Sequence, residues 1–561
     1  MRFLVLLAVA ALSLNACTTL SSSNAGAPGV VSAADPRAAA AGATMLRAGG
    51  SATDAAFATL LALTVVEPQS SGIGGGGFLV TSDARGTVDS FDGRETAPGT
   101  ASPDWFFKNG VAMTTAEAIP GGKSVGVPGN VRMMALAHAK HGKLGWRALF
   151  APAIALARDG FAITPRLHSS LERYRETGAL SSAARALFYA SDGAPLAAGT
   201  IVRNPALAAF LDQLARLGPD AFYVGPNAQA LVAMVDTSAR NPSSMTTRDL
   251  AAYDAKPRAA VCGSYRGNRI CGMGPPSSGA TTVFAILKQL ERFDLTALGP
   301  DSTQSWHLIA ESMRLAYADR DLYLGDADFV SVPVAGLTDP AYLAQRSALI
   351  STDRTIVKAL AGRPAGARQM AQSPQPIEQG TSHFVATDRA GNVATLTSTI
   401  ESPFGSGLMV NGYYLNNELT DFNFVPFVDN VAVANRVEAG KRPRSSMAPT
   451  IVFGRNGHVR LAVGAAGGAT IIAQVAKAII GVIDWRLSAQ QAIALPVLFA
   501  PGDTVYLEKG SAHEALAPGL AALGHTVALR EPGFKANAVE WVGQRWVGAA
   551  DPRSEGTSVG E

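Results

Sequence analysis

Only three of the 561 residues are cysteines and eight are histidines. No Cys-x-x-Cys or His-Glu-x-x-His occurs, so neither number nor spacing supports a metal site. Charge is scarce too, at 16% of residues, against roughly 25% in ordinary globular chains. No run of five or six like charges appears and the net charge is +3, which argues against nucleic acid or a polyanionic surface as partner. Beyond the N-terminus no segment holds 18 uncharged apolar residues, so the body of the chain does not read as membrane-spanning. What the chain has is length for a large core, 47% hydrophobic residues, and 57 glycines with 32 prolines for tight turns.

The N-terminus, "MRFLVLLAVAALSLNAC", places Arg2 before an apolar run from Phe3 to Leu14 and then Cys17. The run is too short to cross a bilayer and has the layout of an export signal. Leu14-Asn15-Ala16-Cys17 resembles the lipobox of bacterial lipoproteins. We therefore expect residues 1–16 to be a signal segment, Cys17 to carry lipid, and 17–35 to be a flexible tether. An ordinary signal cleaved nearby, with Cys17 incidental, is the plainer alternative. The other two cysteines, in "VCGSYRGNRICG", flank Gly267-Asn268, a hairpin-turn signal. Cys262 and Cys271 could pair in an oxidising setting, or remain two reduced apolar thiols.

Ser51 and Asp54 stand at capping-box spacing before an Ala/Leu-rich helix that reads as buried. "TTVFAILKQLERF" and "SWHLIAESMRLAYADRDLY" have helical periodicity. Residues 351–380 carry prolines and no sustained period, as a surface segment would. From Thr381 to about Val463 strands are expected to dominate. Helices followed by strands and then mixed elements suggest layered α+β packing. Gly72 to Gly77 match G-x-G-x-x-G, with Asp92 near the distance of a ribose-binding acid. "FLVTSD" after them is strand-like, so a structural loop of close backbone approach is the better reading.

"GTSHFVATDRAGNVATLTST" reads as a hairpin closed by "DRAGN". With the turn centred on Ala390, Thr381 lies across from Thr399, close enough for their hydroxyls to bond. His383, Thr395, Thr397 and Glu401 share that face; Phe384, Ala386, Leu396 and Ile400 share the other. Ser382 and His383 cannot act as nucleophile and base together, because adjacent strand residues point apart. A threonine hydroxyl needs a base. If the bond before Thr381 is cut, its own α-amine, titrating near ~7.7–8.0, is suited to be that base. Gly380 would leave the bond open to attack. A threonine-rich, solvent-exposed hairpin is the alternative.

The chain resembles the γ-glutamyltransferases, also called γ-glutamyltranspeptidases or glutathione hydrolases, which are N-terminal-nucleophile hydrolases. The likeness rests on "GSATDAAFATLLALTVVEPQSSGIGGGGF", "GRETAP", "VGVPGNV", "YRGNRICGMGPPSSGA", "GTSHFVATDRAGN", "FGSGLMVNGYYLNNELTDF", "KRPRSSMAPTIVF", "GAAGGA" and "GAADPR", nine segments in the family's order.

That resemblance implies a four-layer αββα sandwich built from a proenzyme that cuts itself between Gly380 and Thr381. The products would be a large chain, 36–380, and a small chain, 381–561. It implies Thr381 as nucleophile, Thr399 as the hydroxyl that orients it, and Gly467 and Gly468 as oxyanion donors. It implies that Arg94, Ser445 and Ser446 hold the α-carboxylate of a γ-glutamyl group, and that Glu401, Glu418 and Asp421 hold its α-ammonium. The three acids are expected on one side of the pocket, with the substrate's ammonium as the cation between them. Many relatives have amides where this chain has Glu401 and Glu418. The segment from Phe422 to Arg444 is short and lacks the tyrosine of lid-bearing relatives, which implies an open site that leans toward hydrolysis. Glutathione and other γ-glutamyl amides, with water or an amine as acceptor, are the implied partners, and no cofactor or metal is implied. The implied location is exported, periplasmic, with membrane contact only through a lipid anchor. A glutaryl or cephalosporin acylase, or a catalytically silent γ-glutamyl-binding lipoprotein, are the rival readings.

Overall fold

Two antiparallel sheets carry the molecule, a computed structural model that describes residues 24–373, 380–533 and 535–561. The first has seven strands in the order Thr557–Gly560, Val30–Ala33, Ser382–Thr387, Val393–Thr399, Gly76–Ser82, Val88–Gly93 and Lys256–Arg258. The second has six: Arg545–Ala550, Lys535–Val542, Val459–Ala466, Thr450–Phe453, Asn268–Gly272 and Val261–Tyr265. Alternation sends Phe384, Ala386, Ala394 and Leu396 into a core shared with helices Pro36–Arg47 and Ala52–Val66. Val385 and Val393, from the opposite face, join a second core with the six-stranded sheet and helices Gly279–Leu290, Thr303–Tyr323 and Thr470–Ile483. The result is a four-layer αββα sandwich. The first sheet draws strands from both sides of residue 380, so a cut there would leave the two pieces hydrogen-bonded along whole strands.

The helix Ala52–Val66 starts in the expected capping box, Ser51 with Asp54, and is buried along its length. Gly74, Gly75 and Gly76 are loop and strand, not a nucleotide cradle. A Cβ on Gly75 would lie 1.9 Å from the Thr399 carbonyl oxygen and one on Gly74 2.0 Å from that of Tyr414. Only hydrogen fits there. Asp92 is buried in ion pairs with Arg442 at 2.8 Å and Arg258 at 3.0 Å. Cys262 and Cys271 pair in register and form a disulfide, around a two-residue turn at Arg266-Gly267, one residue before the turn expected.

Two expectations are corrected. The tether expected over 17–35 ends sooner, because Val30–Ala33 is an inner strand of the seven-stranded sheet, bonded on both edges. Its β-branched pair Val30-Val31 and the N-cap Asp35 of the next helix tie this stretch into the fold. The span from 400 to 449 is mostly irregular rather than strand, because its backbone groups bond across loops, as Asn417 N–H does to Ile400 O. Residues 1–16 and Cys17 lie outside the described residues. Among those described, no helix is long and apolar enough to cross a membrane.

Candidate active site

The hairpin forms in the expected register. Ser382 pairs with Ser398 and Phe384 with Leu396, which carries Thr381 opposite Thr399. Asp388 fixes the turn by accepting the N–H of Ala390 at 2.9 Å and of Asn392 at 3.0 Å. The Thr381 and Thr399 hydroxyls are hydrogen-bonded at 3.1 Å, and the Glu401 N–H donates to Thr399 Oγ1 at 2.8 Å. The alternative of a solvent-exposed hairpin fails, since both strands are buried throughout.

The peptide bond before Thr381 sits under constraint. Gly380 has φ 83° and Thr381 φ 86°; a β-branched residue there is strained. A Cβ on Gly380 would meet the Glu401 carbonyl oxygen at 1.7 Å. The Gly467 N–H donates to the Gly380 carbonyl oxygen at 3.2 Å, and the Thr381 N–H donates to Ser70 O at 3.3 Å. Gly467 and Gly468 both have positive φ and immediately precede helix Thr470–Ile483. Helix N-termini favour negative charge, so this bend suits a developing oxyanion. Gly468 lines the same small cavity as Thr381.

His383 is structural, as its position two residues from Thr381 implies. It is held between Thr397 Oγ1 at 2.9 Å and Thr395 Oγ1 at 3.2 Å, and burial pushes its pKa down to about 3. Ser382 points the other way, donating to Glu67 Oε2 at 2.6 Å. Burial pushes the Glu67 carboxyl up, but Lys535 and Arg166 outweigh that and hold it below its usual range.

Around Thr381 the cavity is lined by Arg94, Thr399, Glu401, Glu418, Asp421, Ser445, Ser446 and Gly468, so the structure brings together every catalytic and substrate-binding residue the sequence proposed except Gly467, which with Gly380 lines the neighbouring cavity. One expectation changes. The cation among the acids is Arg94, whose guanidinium pairs with both Glu418 and Asp421. Buried opposite charges pair because each alone would be costly. Sequence reading also missed Glu95, fully buried with its carboxylate 4.0 Å from Arg94. It stands next to Arg94 in "GRETAP", where nothing in the local sequence signals its burial. Burial raises the Glu95 carboxyl to about 8 and holds Glu418 well above the usual carboxylate range, the adjacent carboxylates adding to it. Ser445 Oγ accepts the Met447 N–H at 3.1 Å, and Ser446 Oγ accepts from Arg320 at 2.6 Å. Each hydroxyl therefore keeps its proton to donate.

The expected open site is not what the unbroken chain has. Thr381 is 4% exposed and the cavity measures about 10 Å³, the volume of about one water. The 422–444 segment forms only a small hairpin, Phe427–Val428 with Val431–Ala432. The side chains of Arg94, Glu418 and Asp421 close the site by pairing with one another.

A strained threonine at the head of an inner strand, layered between two sheets and two sets of helices, defines an N-terminal-nucleophile hydrolase. The chain belongs to the gamma-glutamyltranspeptidase family, whose model matches residues 38–561. It is 37% identical over 550 residues to a glutathione hydrolase proenzyme of Bacillus subtilis, covering 95% of this chain and 92% of that one. It is 35% identical over 546 residues to an "Acylase ACY 1 proenzyme" of Pseudomonas sp. strain SE83, covering 95% and 94%. The crystal structure of a cephalosporin acylase from Bacillus halodurans superposes with a TM-score of 0.83 at 25% identity, over 95% of this chain and 96% of that one.

Proposed function

We propose that the protein is a γ-glutamyl hydrolase/transferase that acts on glutathione and other γ-glutamyl amides after cutting itself between Gly380 and Thr381. The observation that carries this reading is the Thr381–Thr399 hydroxyl pair beside a Gly380 carbonyl already held by the Gly467 N–H. In self-cleavage Thr381 Oγ attacks the Gly380 carbonyl carbon, and Gly467 N–H receives the negative charge that builds on its oxygen. The C–N bond breaks, the nitrogen becomes the α-amine of Thr381, and water hydrolyses the resulting ester. That amine, titrating near ~7.7–8.0, then serves as base.

In turnover Thr381 Oγ attacks the γ-carbonyl of the donor and passes its proton through the α-amine to the leaving nitrogen. Water or an amine then takes the acyl group from the threonine ester. Arg94, Ser445 and Ser446 receive the donor's α-carboxylate; Glu401, Glu418 and Asp421 receive its α-ammonium. A bound zwitterion exchanges partners with the Arg94 pairs rather than adding a charge, so the site stays neutralised as it opens. The short 422–444 segment without tyrosine favours hydrolysis over transfer to an amine.

The similarity to acylases supports a second reading, with a glutaryl donor. A glutaryl group lacks the ammonium, and its binding would take Arg94 from buried acids without replacing it, which is costly by several kcal/mol. The test compares kcat/KM for γ-glutamyl and glutaryl 4-nitroanilides. The γ-glutamyl donor should lead by at least ~100-fold, the value of one charged contact of roughly 3 kcal/mol. Asp421→Asn should narrow the gap. Comparable values in the wild type would favour the acylase. Export with lipid on Cys17 is part of the same proposal, supported by the N-terminal pattern and the Cys262–Cys271 disulfide.

A further inference from the structure

The tetrahedral carbon formed on Thr381 has four substituents. One is Thr381 Oγ, one is the oxyanion, and one is the acyl chain entering the Arg94 pocket. The fourth, the amine that leaves or arrives, needs a place of its own. A cavity of about 500 Å³ lies beside the same two backbone bends, lined by Gly380 and Gly467 where the acyl pocket is lined by Thr381 and Gly468. Its wall carries three cations, Arg166, Arg173 and Arg530, against one acid, Glu531. Glu531 is turned to solvent and bonded to Lys509 at 2.5 Å. Arg166 stands 3.8 Å from Glu67, which Lys535 already neutralises at 2.8 Å.

Arg530 differs from the other two in being half-buried with no ion pair or hydrogen bond from its guanidinium to any described residue. It rests over the Phe499 ring at 5.5 Å, which fixes its direction without neutralising it. Burial disfavours its charged form. A half-buried cation held without an ion pair favours an anion beside it. Arg173, exposed and laid against Tyr174, supplies a second positive charge at the rim.

We propose that this cavity is the subsite for the leaving and accepting amine, and that Arg530, helped by Arg173, selects amines that carry a carboxylate, such as the free C-terminus of a dipeptide. The proposal rests on the γ-glutamyl reading above and adds the other half of the substrate. The carboxylate of the amine sits on Arg530 while its nitrogen faces the acyl carbon. When the C–N bond breaks, that nitrogen takes the proton held by the Thr381 α-amine.

The test uses two donors that differ by one carboxylate on the leaving group, γ-glutamyl-3-carboxy-4-nitroanilide and γ-glutamyl-4-nitroanilide. Wild type, Arg530→Gln and Arg530→Lys are compared as purified, self-cleaved protein, with the two-chain pattern on a denaturing gel as the check on folding. Arg530→Gln should lower kcat/KM for the carboxylated donor by about tenfold or more, the loss expected for one charged hydrogen bond. It should change the plain donor by less than about twofold, and Arg530→Lys should recover part of the loss. Equal falls on both donors, or no fall on either, would overturn the subsite while leaving γ-glutamyl turnover standing. A wild type that turns over neither donor would remove the γ-glutamyl reading and this proposal with it.

Discussion

Replacing Gly380 by alanine should stop or greatly slow self-cleavage. The new methyl would meet two obstacles. The φ of 83° costs an L-residue roughly 1–2 kcal/mol. The ideal Cβ would lie 1.7 Å from the Glu401 carbonyl oxygen, where the closest comfortable carbon–oxygen contact is about 3.3 Å. Residue 380 must therefore retreat by about 1.6 Å, the difference of those two distances. Its carbonyl oxygen sits 3.2 Å from the Gly467 N–H and has little hydrogen-bonding range to give up. Loss of one oxyanion donor slows acyl transfer by about 10²–10³-fold, so the half-time for cutting should lengthen by at least ~100-fold. The assay follows the uncut chain on a denaturing gel from the moment of synthesis. Gly49→Ala is the control, because Gly49 has the same φ of 83° and nothing within 4 Å of its Cβ position. Cleavage of Gly380→Ala within about twofold of wild type would refute the reasoning, as would an equal delay in Gly49→Ala.

Thr399→Val keeps the shape of Thr399 but removes the hydroxyl that bonds Thr381 and accepts the Glu401 N–H. Turnover number should fall by about 10–100-fold with little change in KM, and steady-state kinetics on a γ-glutamyl anilide would expose a purely structural role if KM alone moved. His383, held at about 3 in the fold against about 6.5 unfolded, contributes stability that is complete above pH 6.5 and is lost as pH falls toward 3. Between pH 6.5 and 4.5 that amounts to roughly 2 kcal/mol, a little under two pH units at about 1.36 kcal/mol each because the unfolded imidazole is only half protonated at pH 6.5. Urea titrations should show His383→Gln losing less stability than wild type over this range, and parallel losses would exclude the assignment. Cys17→Ser should release activity to the soluble fraction or block processing; unchanged membrane association together with an unchanged N-terminal mass would exclude lipid on Cys17.

Local chemistry was readable in the chain itself. Alternation and the Asp388-to-Asn392 turn decide the hairpin register, because a one-residue slip would invert both faces. That alone brings Thr381 to Thr399. Ser51 and Asp54 decide where the first long buried helix begins, since a capping box acts over four residues. What needed the tertiary structure were the contacts between distant segments. Arg94 is more than 300 residues from Glu418 and Asp421 in sequence, and no local pattern says that it pairs with them rather than with substrate. The burial of Glu95, and the rise of its carboxyl to about 8, depend on what packs over it. Val30–Ala33 directly follows a linker-like stretch in the sequence, and only its pairing with strands at 382–387 and 557–560 shows it to be an inner strand. Arg530 is one basic residue among many in the sequence. Only the fold leaves it half-buried, unpaired among the described residues and facing the cavity next to Gly380.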